Sequence, residues 1–169
     1  VYRAMARDLK EVGLNFNFAP VVDIDVNLNN PIIARYKRSY SSNVNIVNKH
    51  ARIFLKIMKK NKILTSLKHF PGHGSSAVDS HKAITDITNS YEDLELIPYS
   101  MLKNLSSAVM TGHLLHKELD PEYPATLSEK IITGLLKDEI RFKGLVITDD
   151  INMKALTNVY SLQDIVYYS

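Results

Sequence analysis

The stretch Lys68-His69-Phe70-Pro71-Gly72-His73-Gly74-Ser75-Ser76-Ala77-Val78-Asp79-Ser80-His81 concentrates the chemically able side chains of this 169-residue sequence. It holds three of the six histidines, an aspartate and two glycines. Pro71 and Gly72 exclude a regular helix, so these groups sit on a loop. Asp79 and His81 stand two apart, close enough for a carboxylate to orient an imidazole and to support the imidazolium formed during proton transfer. A single loop histidine serves structure more often than chemistry; three in one glycine-containing loop favour chemistry. Zinc ligation by His69, His73, His81 and His113 with Asp149 breaks the usual spacing rules. None of these four histidines belongs to a His-x-His or His-x-Glu pair, and there is no His-Glu-x-x-His helix, so no metal is expected. Asp149-Asp150 is the second acidic feature. It caps a helix or, at the end of an apolar strand, presents a carboxylate whose burial is costly unless it is used.

The elements that must position these groups alternate between helix and strand. Met5, Leu9 and Val12 fall at helical spacing and Gly13 ends that helix. Residues 15–23 read as a strand running into a polar loop. Val44–Lys60 reads as a helix with Val47, Ala51, Phe54 and Met58 on one face. Residues 63–67 form a strand ending at Lys68-His69. Leu94, Ile97, Met101, Leu102 and Leu105 make a helical stripe interrupted by Pro98. Residues 108–112 form a strand ending at His113. Ser128 caps a helix whose inner face is Ile131, Ile132, Leu135, Leu136 and Ile140, and residues 144–148 form a strand ending at Asp149-Asp150.

Strand and helix in alternation, without hairpin signals, predict a parallel sheet. Four successive strands each deliver polar residues at the carboxyl end: Asp23, Lys68-His69, His113 and Asp149. In a closed α/β barrel those ends share one mouth. No Gly-rich phosphate loop supports the open, nucleotide-binding alternative. The expected fold is therefore α/β, a TIM (β/α)8-type barrel present as an incomplete portion.

Composition narrows the class further. A formal charge of +3, with 45% hydrophobic and 23% charged residues, is ordinary for a globular protein and too small and dispersed for nucleic acid. No apolar run reaches membrane-spanning length. The absence of cysteine removes disulfides and thiolate chemistry, and fits a reducing compartment. A start at Val1-Tyr2-Arg3 is neither an initiator nor a signal peptide, so the chain reads as a piece of something longer. A cytoplasmic location is favoured, with secretion or lipid anchoring left open.

Several of these stretches together resemble glycoside hydrolase family 3, in particular its single-barrel β-N-acetylglucosaminidases. The resemblance is carried by Lys68-His69-Phe70-Pro71-Gly72-His73-Gly74 with Asp79-Ser80-His81, and by Asn17–Asp23. Asn30-Pro31-Ile32-Ile33 with Arg38-Ser39-Tyr40, Val109–His113 and Thr148–Met153 extend it over nearly the whole chain. It implies a retaining double displacement on terminal β-linked N-acetylglucosamine, with muropeptide fragments as the substrate of the family's wall-recycling members and no cofactor. By the same resemblance Asp149 aligns with the nucleophile, and Asp79 with His81 forms the acid/base dyad. Arg38, Lys68 and His69 would hold the sugar, with His73 and His113 supporting. Ser75-Ser76 replaces a more usual Asp-Thr, and Tyr40 a more usual Phe. The family's upstream Asp-Gln-Glu-Gly-Gly segment and its downstream Gly-x-Asp strand have no counterpart here. Residues 1–169 are therefore expected to form part of one catalytic barrel domain, from about its third to its sixth β/α unit. Two other readings are a family 3 β-glucosidase or xylosidase, against which the Asp79–His81 loop argues, and a non-catalytic carbohydrate-binding barrel. Oligomeric state leaves no mark on the sequence.

Overall fold

A computed structural model describes residues 1–78 and 83–169 of the chain. Its main sheet has four parallel strands in the order β1 (Phe16–Asn17), β2 (Leu64–Phe70), β4 (Ala108–Thr111) and β6 (Leu145–Thr148). Two short strands that the sequence did not suggest, β3 (Thr85–Asp86) and β5 (Leu114–Leu115), pair in parallel as a separate ribbon. In the main sheet, spatial order follows chain order without reversal. A doubly wound sheet must reverse direction at a switch point; a barrel need not. These strands are a portion of a TIM-type α/β barrel.

Register assigns the two faces of the sheet. Leu67 pairs with Val109 and Val109 with Val146, and this row packs into the core against Val47, Phe54 and Leu102 of the helical layer. The neighbouring row, Lys68, Met110 and Ile147, points the other way and lines an open cleft. The helices on the core side are α1 (Tyr2–Glu11), α2 (Val44–Lys60) and α3 (Ile97–Leu102). α2 matches its predicted span. Asn43 caps it by accepting the Asn45 N–H, and the predicted face of Val47, Ala51, Phe54 and Met58 is buried.

Other expectations need correction. On α1 the packed residues are Tyr2, Ala6 and Leu9, while Met5 and Val12 are exposed; Gly13, at φ 81°, ends the helix as predicted. The first strand does not run unbroken over 15–23. Pro20 has no N–H to offer the ladder, which resumes only at a bridge between Val21 and Lys68. Pro98 starts α3 rather than interrupting it, after a 3-10 turn at Asp93–Leu96. The buried residues there are Pro98, Tyr99 and Leu102, with Ile97 and Met101 exposed. The Ser128 hydroxyl accepts the Ile131 N–H, but the segment that follows, Lys130–Glu139, is π-helical. Its wider turn, seen in the bond from Ile140 N–H to the Leu135 carbonyl, brings Ile131, Leu135, Leu136 and Ile140 to one buried side. Two short helices, α4 (Lys154–Thr157) and α5 (Leu162–Tyr168), end the chain. No described helix is long and apolar enough to cross a membrane.

Gly74 shows how tightly the loop after β2 is seated: a Cβ there would lie 1.7 Å from the Ile24 carbonyl oxygen. Gly74→Ala is therefore expected to destabilise the fold by about 3 kcal/mol, the upper end of the usual overpacking cost. Urea unfolding checks this, with the midpoint falling at unchanged slope.

Candidate active site

Adjacent residues of a regular strand face opposite ways, yet Lys68 and His69 both serve the same site. The cause is a register shift in β2: Lys68 pairs with Met110 and Phe70 with Thr111, leaving His69 as the extra residue of a bulge. Phe70 recovers the core side, against Tyr99. Lys68 stays on the cleft.

His69 is held from both ends of its ring. Its Nδ1 lies 2.7 Å from Oδ2 of Asp23, and its Nε2 lies 3.2 Å from Nη2 of Arg38. A guanidinium can only donate. Nε2 must therefore accept, which leaves the ring proton on Nδ1, donated to Asp23. The 3.9 Å approach of Nε2 to Oδ2 of Asp149 is thus a close contact and not a hydrogen bond.

Asp23 organises the whole corner. It is 1% exposed. Its Oδ1 accepts the backbone N–H groups of His69 at 3.0 Å and His73 at 2.9 Å. Burial by itself would raise its carboxyl; the attraction of His69, that residue's hydrogen bonds and the attraction of His73 more than offset this and hold it below 3.8. The sequence marked Asp23 only as a strand end. Its three donors come from residues 46 to 50 positions away, a separation that no local pattern signals.

The loop after β1 is fastened by Asn30, which is fully buried. Its Oδ1 accepts the N–H groups of Ile32 and Ile33, and its Nδ2 donates to the carbonyls of His73 and Gly74. The Arg38 N–H closes on the Ile33 carbonyl, so this one amide links the arginine's loop to the glycine turn.

Ile147 lines the cleft, and strand parity carries Asp149, two residues on, to the same side. The Asp149 N–H continues the ladder onto the Thr111 carbonyl at 3.0 Å. Its side chain is 30% exposed. The cleft, about 700 Å3 in volume, is lined by Phe18, Lys68, Met110, Ile147 and the Asp149-Asp150 pair among others. Asp150 spends its carboxylate on its own loop, accepting from the backbone and side-chain nitrogens of Asn152, which hold it below 3.8. Burial, then the Arg38 charge, lowers the Lys68 amine; Asp149 and Asp23 pull the other way.

Two further histidines brace the loops of the site. His73 meets the Ser76 hydroxyl through Nδ1 at 2.6 Å and lies edge-on to His69. Burial and the neighbouring His69 lower it to about 4, so it stays neutral. His113 places Nε2 2.9 Å from the Asp150 carbonyl, to which it can only donate, and Nδ1 2.8 Å from the Thr126 hydroxyl. It thereby fastens the turn that carries Asp149. Asp79 and His81 lie outside the described residues. Among the described residues no three histidine, cysteine or acidic side chains are grouped to hold a metal.

A sequence model described as the glycosyl hydrolase family 3 N-terminal domain matches residues 1–169. The chain is 32% identical to β-hexosaminidase A of Pseudoalteromonas piscicida, over 97% of its own length and 30% of that protein's. It is 31% identical to a β-hexosaminidase of Pseudomonas aeruginosa, over 88% of this chain and 45% of that one. A solved family 3 β-N-acetylglucosaminidase from Paenibacillus superposes with a TM-score of 0.92 at 33% identity, covering 99% of this chain and 32% of that chain. The chain thus spans less than half the length of each of these relatives.

Asp23→Asn turns an –NH2 group toward positions now filled by N–H donors, and it leaves buried donors unmatched. A loss of about 3–5 kcal/mol is expected, the usual cost of breaking a buried charged pair. Because the Asp23 carboxyl is lowered, its contribution is present above 3.8 and lost as pH falls through the folded value. The stability gap between wild type and variant should therefore close in acid. Unfolding curves from pH 7 to pH 2 check both statements.

Proposed function

The chain belongs to glycosyl hydrolase family 3, and on that premise we propose that its protein is a retaining β-N-acetylhexosaminidase. It releases terminal β-linked N-acetylglucosamine, with peptidoglycan fragments as the substrate class, and residues 1–169 are part of its single catalytic barrel domain. The observation that carries this reading is the convergence of Asp149, Lys68 and the His69–Arg38 pair on one side of the sheet, at the carboxyl ends of the strands. Barrel enzymes keep their chemistry at those ends.

In the proposed reaction a carboxylate oxygen of Asp149 attacks the anomeric carbon as the bond to the aglycone oxygen breaks. His81 gives its proton to that oxygen, and the sugar is left as an ester on Asp149. The imidazole, now neutral, takes a proton from water as the water oxygen attacks the same carbon, and Asp149 leaves as carboxylate. Two displacements restore the β configuration. Asp79 orients His81 and stabilises its charged form. Retaining enzymes ordinarily use two carboxyl groups about 5–5.5 Å apart. An imidazole exchanges protons near pH 7 with little tuning, and it does not repel an anionic aglycone such as a muramic acid carboxylate. Lys68 and Arg38 supply donors for sugar hydroxyls, and His69 Nε2 supplies an acceptor. For Arg38 and His69, substrate oxygens would compete with the bond they make to each other.

The test uses the complete gene product. His81→Ala should lose about 10²–10⁴-fold on substrates with poor leaving groups, the usual worth of a general acid, and far less on activated aryl N-acetylglucosaminides. Proton NMR of the first-formed sugar should show the β anomer. Equal losses on all substrates would make His81 a binding residue. An α anomer would exclude double displacement.

A further inference from the structure

A second buried carboxylate holds the glycine turn from beneath, and the proposed reaction makes no use of it. Glu95, on the 3-10 turn before α3, is 1% exposed. Its Oε2 accepts the N–H groups of Gly74 at 2.8 Å and Ser75 at 3.3 Å. A Cβ on Gly72 would lie 2.6 Å from the Glu95 Cβ, so the turn rests directly on this side chain. Asp23 takes the preceding N–H, that of His73. Three successive backbone N–H groups therefore point at two carboxylates, the concave arrangement that suits an anion. The outward carbonyls of the same turn are tied to the next loop: His73 and Gly74 accept from Asn30, and Gly74 also accepts the Asn27 N–H.

We propose that Glu95 is a positioning residue for the glycosidase reaction, acting through the Gly74–Ser75 backbone and Asn30 to set Arg38 and His69 against Asp149. The proposal rests on the hydrolase reading above. Ionised, Glu95 draws the two amides down by charge-assisted bonds, which are about twice as strong as neutral ones. Protonated, it still accepts from them but holds them less firmly.

The surroundings place this change near neutrality. Burial pushes the Glu95 carboxyl up to about 7; the bonds from Ser75 and Gly74 work against that, and the Asp23 charge works with it. The other groups facing it are the Tyr91 and Tyr99 phenols, both pushed up and so neutral. His73 on the turn is neutral too. Glu95 Oε1 is buried with no partner among the described residues, and it is the natural seat for the proton. The sign for stability is opposite to that for order in the turn. A raised carboxyl favours the fold below its ordinary value of 4.5, and that contribution is lost as pH rises through about 7. The turn, by contrast, is held most firmly above that pH.

Glu95→Gln in the complete gene product keeps an acceptor for both amides and abolishes the titration. In wild type the amide resonances of Gly74 and Ser75 should titrate with a midpoint near 7, and in Glu95→Gln they should not. The ratio of wild-type to variant kcat/KM on a chromogenic N-acetylglucosaminide should change at least about threefold between pH 6 and pH 8, more through KM than kcat, because Arg38 and His69 are the proposed sugar holders. Taking the ratio cancels the titration of His81. Amides that do not titrate overturn the proposal whatever the turnover. Titrating amides with a flat ratio leave Glu95 structural and overturn its part in the reaction. A wild type without turnover fails the hydrolase reading itself, and with it the positioning role.

Discussion

A carboxylate removed from water must find its compensation within the protein, and Asp23 finds all of it in one stretch of chain. The backbone N–H groups of His69 and His73 and the imidazole Nδ1–H of His69 converge on its two oxygens. Much else follows from that constraint. It pins the end of β1 to the end of β2, and it turns His69 toward the cleft out of a bulge that would otherwise be free to relax. It also decides which ring nitrogen carries the proton, and so which one meets Arg38. Buried polar clusters stabilise only when fully matched. Asn30, which uses both faces of its amide, and Glu95 beneath the turn extend this one, with Glu95 Oε1 left without a partner among the described residues.

The arrangement separates two kinds of acid. Asp23 and Glu95 are spent on N–H groups inside the loop. Asp149 is 30% exposed on the cleft, and its backbone N–H bond to Thr111 holds its strand in register. Asp150, one residue on, turns to Asn152 and presents its carbonyl to His113. A carboxylate that is to attack a sugar must not be tied up in the protein's own hydrogen bonds, and of these four Asp149 is the one on the open cleft without a full set of internal donors.

Periodicity made the scaffold legible and topology made the site legible only in part. α2 was readable to the residue because its apolar face repeats at helical spacing over several turns, with an Asn cap and terminal lysines. The alternation of elements gave the parallel sheet. α1 was assigned the wrong face because Ala6, small and weakly apolar, is the buried residue and Met5 is not. Pro20 cut a strand whose apolar run looked continuous. The π-helical turn at 130–139 left no signal separable from an ordinary helical stripe. Lys68, His69 and Asp149 stand out as strand ends, but parity cannot choose between Asp149 and Asp150 on a strand apolar on both faces; the resemblance favours Asp149, and the pairing of β6 with β4 adds only that its position shares the side of Ile147. Asp23 and Glu95 were invisible as partners of the loop because their donors lie some 20 to 50 residues away in the chain.

The central claim is that Asp149 forms the bond to the sugar. It is tested most directly by inactivating the complete gene product with a 2-fluoro or 5-fluoro glycosyl reagent and sequencing the labelled peptide by mass spectrometry. The account predicts one glycosyl group esterified to Asp149 in the peptide that spans Leu145–Met153. A label on Asp150, or inactivation that leaves this peptide unmodified, would contradict it.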